Sequence, residues 1–319
     1  MSTIAAKHNA GLDLSDKTAA VAGGTQGIGA AVSVRFAQAG ANVFIIGRNE
    51  DKGKSVLDEL RKNGAEGKTY EFIKADLSSV DEVKRVADEL KRKSDGTIHY
   101  LVTTQGGPPN GKLSQTPEGH DAHFAVQTLS RFGLAYLLAS SGTLKDAWIS
   151  VLAPGGSNGA APELDNIEQR GVLEPMWAIR RIIKQGEQDG ALGDAMTAHF
   201  PRAFPGLRAA HLFPGFVHTG ASHTAGFPAP ILWAQSLFGP FLARYAPFGN
   251  TPASYAEIPV YIAANPVARQ GDDGDGDQLR FSGPRLKGYG MPAWAKDEGK
   301  DGVASRTWDK LREVFEATK

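Results

Sequence analysis

The stretch "GGTQGIGAAVSVRFAQAGANVFIIGRN", residues Gly23 to Asn49, does most to limit what this chain can become. It reads as a strand end, a glycine-rich turn, a helix and a second strand. Gly23, Gly27 and Gly29 fall at GxxxGxG spacing. Their missing Cβ atoms permit a tight turn and let a pyrophosphate approach backbone N–H groups at the helix start. A tight βα turn without a ligand would use the same glycines, so context has to decide. The second strand ends in Gly47-Arg48, about 19 residues past Gly29, where an NAD-preferring site would offer a carboxylate to the ribose hydroxyls. An Arg at that place suits a 2′-phosphate. The stretch therefore reads as a dinucleotide grip that prefers NADPH to NADH, with a surface cation at a strand end as the alternative for Arg48.

Short apolar runs alternate with longer helical patterns along the rest of the chain. Strands are predicted over residues 18–22, 42–47, 70–74, 100–103, 148–152 and 207–213, and helices over 28–39, 51–62, 80–92, 118–140 and about 175–200. This order predicts an α/β fold, a Rossmann-like doubly wound parallel sheet. At 319 residues and 41% hydrophobic content the chain can bury a large core. One domain over residues 16–319, after a flexible N-terminal arm of residues 1–15, is the preferred organisation. No internal repeat is visible. The acidic loop GDDGDGD at 271–277 is DxDxDG-like, but no Glu follows at EF-hand distance. A solvated turn is the better reading, and no metal is expected.

Lys plus Arg and Asp plus Glu are equal at 35 each, so no net field favours nucleic acid or an anionic membrane. A small-molecule partner is expected instead. The absence of Cys excludes disulfides, thiolate nucleophiles and Cys-ligated metals, and fits an intracellular enzyme. MSTIAAKHNAGLDLSD has no signal-peptide core, and no later run reaches the ~18 apolar residues of a membrane span. A soluble, cytoplasmic protein is the expectation.

Four segments, each at the carboxyl end of a predicted strand, together resemble the short-chain dehydrogenase/reductase family. GGTQGIG, with Gly23, Thr25, Gln26, Gly27, Ile28 and Gly29, is similar to that family's TGxxxGIG turn, Ala22 standing where Thr is usual. Asp76-Leu77 in KADLSS resembles the segment beside the adenine ring. Thr103-Thr104-Gln105-Gly106 stands where the family has Asn-Asn-Ala-Gly. Pro214-Gly215-Phe216-Val217-His218-Thr219 matches the PGxVxT segment along the nicotinamide half of the cofactor. The resemblance implies NADP(H) held by these residues together with Arg48, Asn49 and Lys184.

The catalytic half departs from the family's pattern. Members generally use a Ser after the fifth strand, a Tyr and Lys spaced YxxxK on the next helix, and an Asn on the helix before. Gln127 stands at the Asn position in HFAVQTLSRFGLAYLL; the Ser position falls in Ala153-Pro154-Gly155-Gly156, with Ser157 a little further along; and no Tyr occurs between Tyr136 and Tyr245. Counting back from Pro214-Gly215 places the expected Tyr near Arg180 and the Lys near Lys184, an i,i+4 pair on one helix face beside Trp177 and Ile183. Lys184 could bind the ribose, and Arg180 or Gln127 could polarise an acceptor, although a guanidinium cannot replace Tyr as an acid. A solvated cationic face is the alternative. His218 and His223 are candidate proton donors, against the commoner role of surface or packing residues.

The segment "FPAPILWAQSLFGPFLARYAPF" at 227–248 lies within an expected substrate lid of about 218–250, and its apolar character favours a hydrophobic substrate. Packing on a second subunit or a membrane is the alternative. The helices from 118 and around 180 stand where the resembled family often forms its dimer contact, so the resemblance implies a possible homodimer, although Gly186, Gly190 and Gly193 suggest that the second is short or broken near Gly186. An amphipathic helix over about 305–317 is expected to dock as a tail. Two functional readings follow: an NADPH-dependent oxidoreductase reducing a hydrophobic carbonyl, enone or imine, or an NADPH-binding member that has lost the redox step.

Overall fold

The run TAAVA at Thr18–Ala22 is buried along its whole length, as is all but the first residue of NVFIIG at Asn42–Gly47. Strands covered on both faces belong to a parallel sheet between two helical layers. The structure, a computed structural model, describes residues 3–106, 111–152, 160–217, 219, 249–270, 281–286, 288–296 and 299–318. Among these, seven strands form one parallel sheet: β1 (Thr18–Ala22), β2 (Asn42–Gly47), β3 (Tyr70–Lys74), β4 (Ile98–Thr103), β5 (Leu144–Val151), β6 (Arg208–Leu212) and β9 (Phe281–Ser282). Their order is β3-β2-β1-β4-β5-β6-β9. A separate two-residue pairing joins β7 (Phe216–Val217) to β8 (Gly249–Asn250). The winding direction reverses between β1 and β4, where Ala22 lies opposite Thr103. Ligands of such folds bind outside the carboxyl ends of the strands at that reversal.

One face of the sheet packs against α1 (Thr3–His8), α2 (Gly27–Gln38), α3 (Glu50–Asn63) and α7 (Pro252–Ala264). The other packs against α4 (Val80–Lys93), α5 (residues 122–140), α6 (Ala178–Ala203) and α9 (Val303–Ala317); α8 (Pro266–Gln270) follows α7. No helix among the described residues is long and apolar enough to cross a membrane.

Several local expectations are corrected. Residues 1–15 do not form a free arm over their described part: Ala5 is fully buried, Asn9 Nδ2 donates to Glu257 Oε2 at 2.8 Å, and Arg35 donates to the Asn9 carbonyl at 2.7 Å. Residues 118–121 stay outside α5. The Glu118 carboxylate instead accepts from Val80 N at 3.0 Å and Ser79 Oγ at 2.7 Å, stabilising the start of α4, and Asp121 caps α5 through Phe124 N. Helix α5 then passes through a π turn at Ala125–Leu129. The helix expected to break near Gly186 runs unbroken for 26 residues, because tertiary packing outweighs the propensity of its glycines. At Gly193 a Cβ would lie 2.9 Å from the His211 ring, so that glycine is the residue that lets α6 approach β6. The seventh strand, β9, is too short to have a sequence pattern, and the acidic loop at 271–277 lies outside the described residues.

The tail docks as expected. Phe315 and Trp308 meet Phe132 edge-on, with the Trp308 ring centroid 4.9 Å away, and a Cβ on Gly133 would collide with the Phe315 ring at 2.2 Å. Phe315→Ala is expected to destabilise the protein by about 3–5 kcal/mol through a cavity between α5 and α9. Urea denaturation checks this, and a loss below ~1 kcal/mol would show that the tail does not share the main core.

Candidate functional site

The glycine turn is shaped by contacts that leave no room for side chains. Gly23 and Gly27 have φ of 77° and 57°, which L-residues rarely adopt. A Cβ on Gly23 would lie 2.7 Å from Thr104 Oγ1, and one on Gly29 would lie 2.3 Å from the Gly23 carbonyl. Thr104 Oγ1 donates to the Ala22 carbonyl at 2.9 Å, which ties the turn to the end of β4. Thr25 closes over Gly47, where a Cβ would meet its Cγ2 at 2.6 Å. Helices α3 and α4 have side-chain caps from Asn49 and Ser79, whereas Gln26 provides none for α2. The first N–H groups of α2, including that of Ile28, are thus available to an anion. Thr219 stands over the same turn, its Cγ2 3.1 Å from where a Gly27 Cβ would be. This cradle fits a pyrophosphate.

The expected ribose and adenine residues gather beside it. Arg48 is exposed, with Nη1 4.0 Å from the Asp76 carboxylate. Asp76 accepts from Ser78 N and Oγ, and Leu77 is buried beneath. Asn49 caps α3 by accepting from Lys52 N at 2.9 Å. Lys52, which sequence reasoning missed, reaches back so that its ammonium donates to Gln26 Oε1. Two cations, Arg48 and Lys52, therefore flank the glycine turn where a 2′-phosphate would sit. The signal for Lys52 was its place one turn into the helix that follows Arg48. Pro214 and Gly215, the latter with φ of 65°, lead into Val217 on β7.

At the carboxyl end of β4 the structure brings Gln105, Gly106 and Gln127 together. A Cβ on Gly106 would lie 2.5 Å from Gln127 Cδ, so the Gln127 amide, turned inward by the π turn, packs on the glycine. Gln105 Nε2 donates to Ser130 Oγ at 2.9 Å. Below them lies Arg131, fully buried. Its guanidinium donates to the carbonyls of Thr103, at 2.6 Å, and Gln105, and weakly to Gln127 Oε1 and Ser150 Oγ, both at 3.3 Å. Burial pushes its pKa down to about 9 against the attraction of Asp189, so it remains a cation at neutral pH. Sequence reading missed it too, although a lone Arg inside the apolar run of α5 was the signal.

The expected Arg180–Lys184 pair is not the pair that faces the sheet. Arg180 is exposed, and Lys184 Nζ pairs with Glu187 at 3.3 Å; Trp177 and Ile183 are exposed as well. The inward face carries Gln185, Gln188 and Asp189. Buried Leu192, Met196 and Phe200 set the phase of α6, and four-residue and seven-residue steps back from Leu192 reach Gln188 and Gln185. Counting from Pro214 could not see that phase. Gln188 bonds the carbonyls of Glu163 and Ile167, and Asp189 Oδ2 lies 2.7 Å from His123 Nε2. Neither amide atom of Gln185 has a hydrogen-bond partner among the described residues. A cleft of about 230 Å³, with Asp121, Glu168 and Arg170 on its walls, opens beside this group. Residues 153–157, His218, His223 and nearly all of the expected lid lie outside the described residues.

A family model described as short chain dehydrogenase matches residues 17–140. The chain is 30% identical over 213 residues to the uncharacterized oxidoreductase YxbG of Bacillus subtilis, covering 65% of this chain and 68% of that protein. It is 29% identical over 246 residues to Oxidoreductase AN1596 of Emericella nidulans, covering 75% of this chain and 70% of the relative. Its fold superimposes with a TM-score of 0.56 on an actinorhodin polyketide ketoreductase crystallised with NADPH, at 20% identity, covering 80% of this chain and 92% of that one.

The His123–Asp189 contact predicts a pH dependence. Burial opposes the charged imidazole, but the charge and hydrogen bond of Asp189 outweigh it and raise the His123 pKa above its ordinary value. A raised pKa in the fold contributes stability that is full below about pH 6.5 and is lost as pH rises through the folded value. The stability that His123 contributes relative to His123→Gln is expected to be larger at pH 6 than at pH 8. Urea denaturation at both pH values checks this, and a constant difference would refute it.

Proposed function

This chain belongs to the short-chain dehydrogenase/reductase family, and from that premise we propose that it is an NADPH-dependent reductase of a hydrophobic carbonyl, enone or imine. The observation that carries the cofactor preference is the pair of cations, Arg48 and Lys52, around an α2 start that lacks a side-chain cap. When bound, the reduced nicotinamide supplies a hydride. The protein would hold the pyrophosphate with the turn at Gly23, Thr25, Gln26, Gly27, Ile28 and Gly29, closed from above by Thr219. Arg48, Asn49 and Lys52 would hold the 2′-phosphate end, and Asp76 and Leu77 the adenine. Gln105, Gly106, Pro214, Gly215 and Val217 would line the nicotinamide half. Gln127, braced by Arg131, would orient the acceptor. The apolar sequence of residues 227–248 supports the substrate class. Trp177, Ile179 and Ile183, exposed along the first turns of α6, are compatible with a homodimer.

A second reading, NADPH binding without redox chemistry, is favoured by one observation: the inward i,i+4 pair on α6 is Gln185 and Asp189, neither a Tyr nor a Lys. Fluorescence titration followed by NADPH consumption with a panel of hydrophobic ketones, enones and imines separates the two. The cofactor preference has its own test. Arg48→Ala and Lys52→Ala are each expected to weaken NADPH binding about 10-fold or more, the worth of a charge-assisted hydrogen bond, and to leave NADH binding unchanged. An equal loss for both cofactors would refute the assignment of these cations to the 2′-phosphate.

A further inference from the structure

We propose that His123, held by Asp189, delivers the proton to the substrate's oxygen in this site, with Gln185 orienting that oxygen. The proposal rests on the reductase reading and supplies the acid that the chain's missing Tyr leaves open. Among the described residues, other candidates lie elsewhere. Tyr136 bonds Glu316 of the tail, Tyr255 is buried in the opposite helical layer, and Arg180 is exposed on the outer turns of α6.

Several observations converge on His123. It sits one turn before Gln127, just ahead of the π turn, and its Nε2 lies 2.7 Å from Asp189 Oδ2. The other ring nitrogen, Nδ1, has no hydrogen-bond partner among the described residues. His123, Gln185, Gln188 and Asp189 line one small cavity together with Phe124 and Ile167, and four more of its walls, Asp121, Glu168, Gln169 and Leu173, also line the cleft of about 230 Å³. The His123 side chain is itself 15% exposed, next to residues that line this cleft, which gives the imidazole access to water. Gln185 is 2% exposed, yet both of its amide atoms lack partners. A buried amide left unpaired is unfavourable, so a polar group brought to it is favoured. The group also adjoins the expected nicotinamide segment: Arg131, which feels the charge of Asp189, bonds the Gln105 carbonyl and Gln127, whose amide packs on Gly106.

The step balances. The hydride would come from the C4–H bond of the reduced nicotinamide, which would be oxidised, and as the carbonyl carbon takes it up the C=O π pair moves onto oxygen. The imidazolium Nδ1–H bond breaks, its proton bonds to that oxygen, and the electron pair stays on Nδ1. Neutral His123 keeps its Nε2–H donated to Asp189 and regains a proton from water through the cleft. The charged groups acting on the imidazole are Asp189 from α6 and Asp121 from the start of α5, which favour the cation, and Arg131 from α5, which opposes it. Glu168, from the segment before α6, lines the same cavity.

Imidazole NMR titration of the cofactor-free protein is the first test, with the His123 signal assigned from His123→Gln. The His123 pKa should lie above about 6.5 and fall in Asp189→Asn. NADPH binding by fluorescence and NADPH consumption with cyclohexenone and decalone follow. Wild-type turnover should decline as pH rises through the measured His123 value. His123→Gln and His123→Asn should keep NADPH affinity, lose that pH dependence and slow about 10²-fold to 10⁴-fold. A His123 pKa indifferent to Asp189→Asn overturns the proposal whatever the turnover. Variants that bind NADPH and keep wild-type rates and pH profile overturn it while the reductase reading stands. Wild type that binds NADPH but reduces neither probe counts against both.

Discussion

A guanidinium buried beneath the carboxyl ends of β4 and β5 has to be hydrogen-bonded and opposed by a charge, and much of the site follows from that requirement. Arg131 meets it by donating to the Thr103 and Gln105 carbonyls, which fixes the path of the chain just where it leaves the sheet. Thr103 Oγ1 in turn accepts from Trp148 Nε1 at 3.1 Å, so the β4–β5 pairing is locked from the side-chain layer as well. Removing one partner of a buried charge leaves the other uncompensated, at a cost of several kcal/mol. Asp189 on α6 opposes the charge and thereby ties a helix from a distant part of the sequence to the end of β4. The long helix persists through three glycines because its inward face has this polar anchor at one end and Leu192, Met196 and Phe200 at the other.

The other half of the site is organised by close backbone approach rather than by charge. Thr104 reaches the glycine turn from below, Thr25 covers Gly47 beside it, and Thr219 meets it from above. The first two contacts leave no space for a Cβ and the third crowds one, so the three segments that resembled the family's motifs are mutually dependent. A glycine turn alone would be a weak signal. What strengthens it is that segments about 80 and 190 residues further along pack against that same turn, at the reversal of a doubly wound sheet.

How far the sequence could be read depended on the range of the interactions involved. The first six strands were legible because burial, complete in β1 and partial in β3, imposes short apolar runs. The cofactor segments were legible because tight turns demand glycine in a fixed pattern. The register of α6 was not legible by counting back from Pro214, because a count carries no information on the phase of the helix, whereas the phase of Leu192, Met196 and Phe200 identifies the inward residues without one. The N-terminal helix escaped notice because its docking depends on Asn9, Arg35 and Glu257, which meet only in three dimensions. Arg131 was readable as an anomaly, a charge in an apolar helix, but its meaning required Asp189 and the two carbonyls.

The charge arrangement also bears on how such a site can work. In the family's pattern a Lys beside the cofactor supplies a cation on the helix that carries the Tyr. Here the inward face of that helix carries a carboxylate, Asp189, and the cations stand on α5 as Arg131 and, when protonated, His123. Moving the positive charge from one wall to the other while placing a negative charge opposite keeps the local field balanced, which a buried polar group needs. The consequence is a change in which group can titrate. Arg131 is held too far above neutrality to exchange a proton usefully at pH 7, whereas an imidazole beside a carboxylate changes charge within the physiological range. The imidazole that this arrangement sets against the Asp189 carboxylate is that of His123, on α5 rather than on α6.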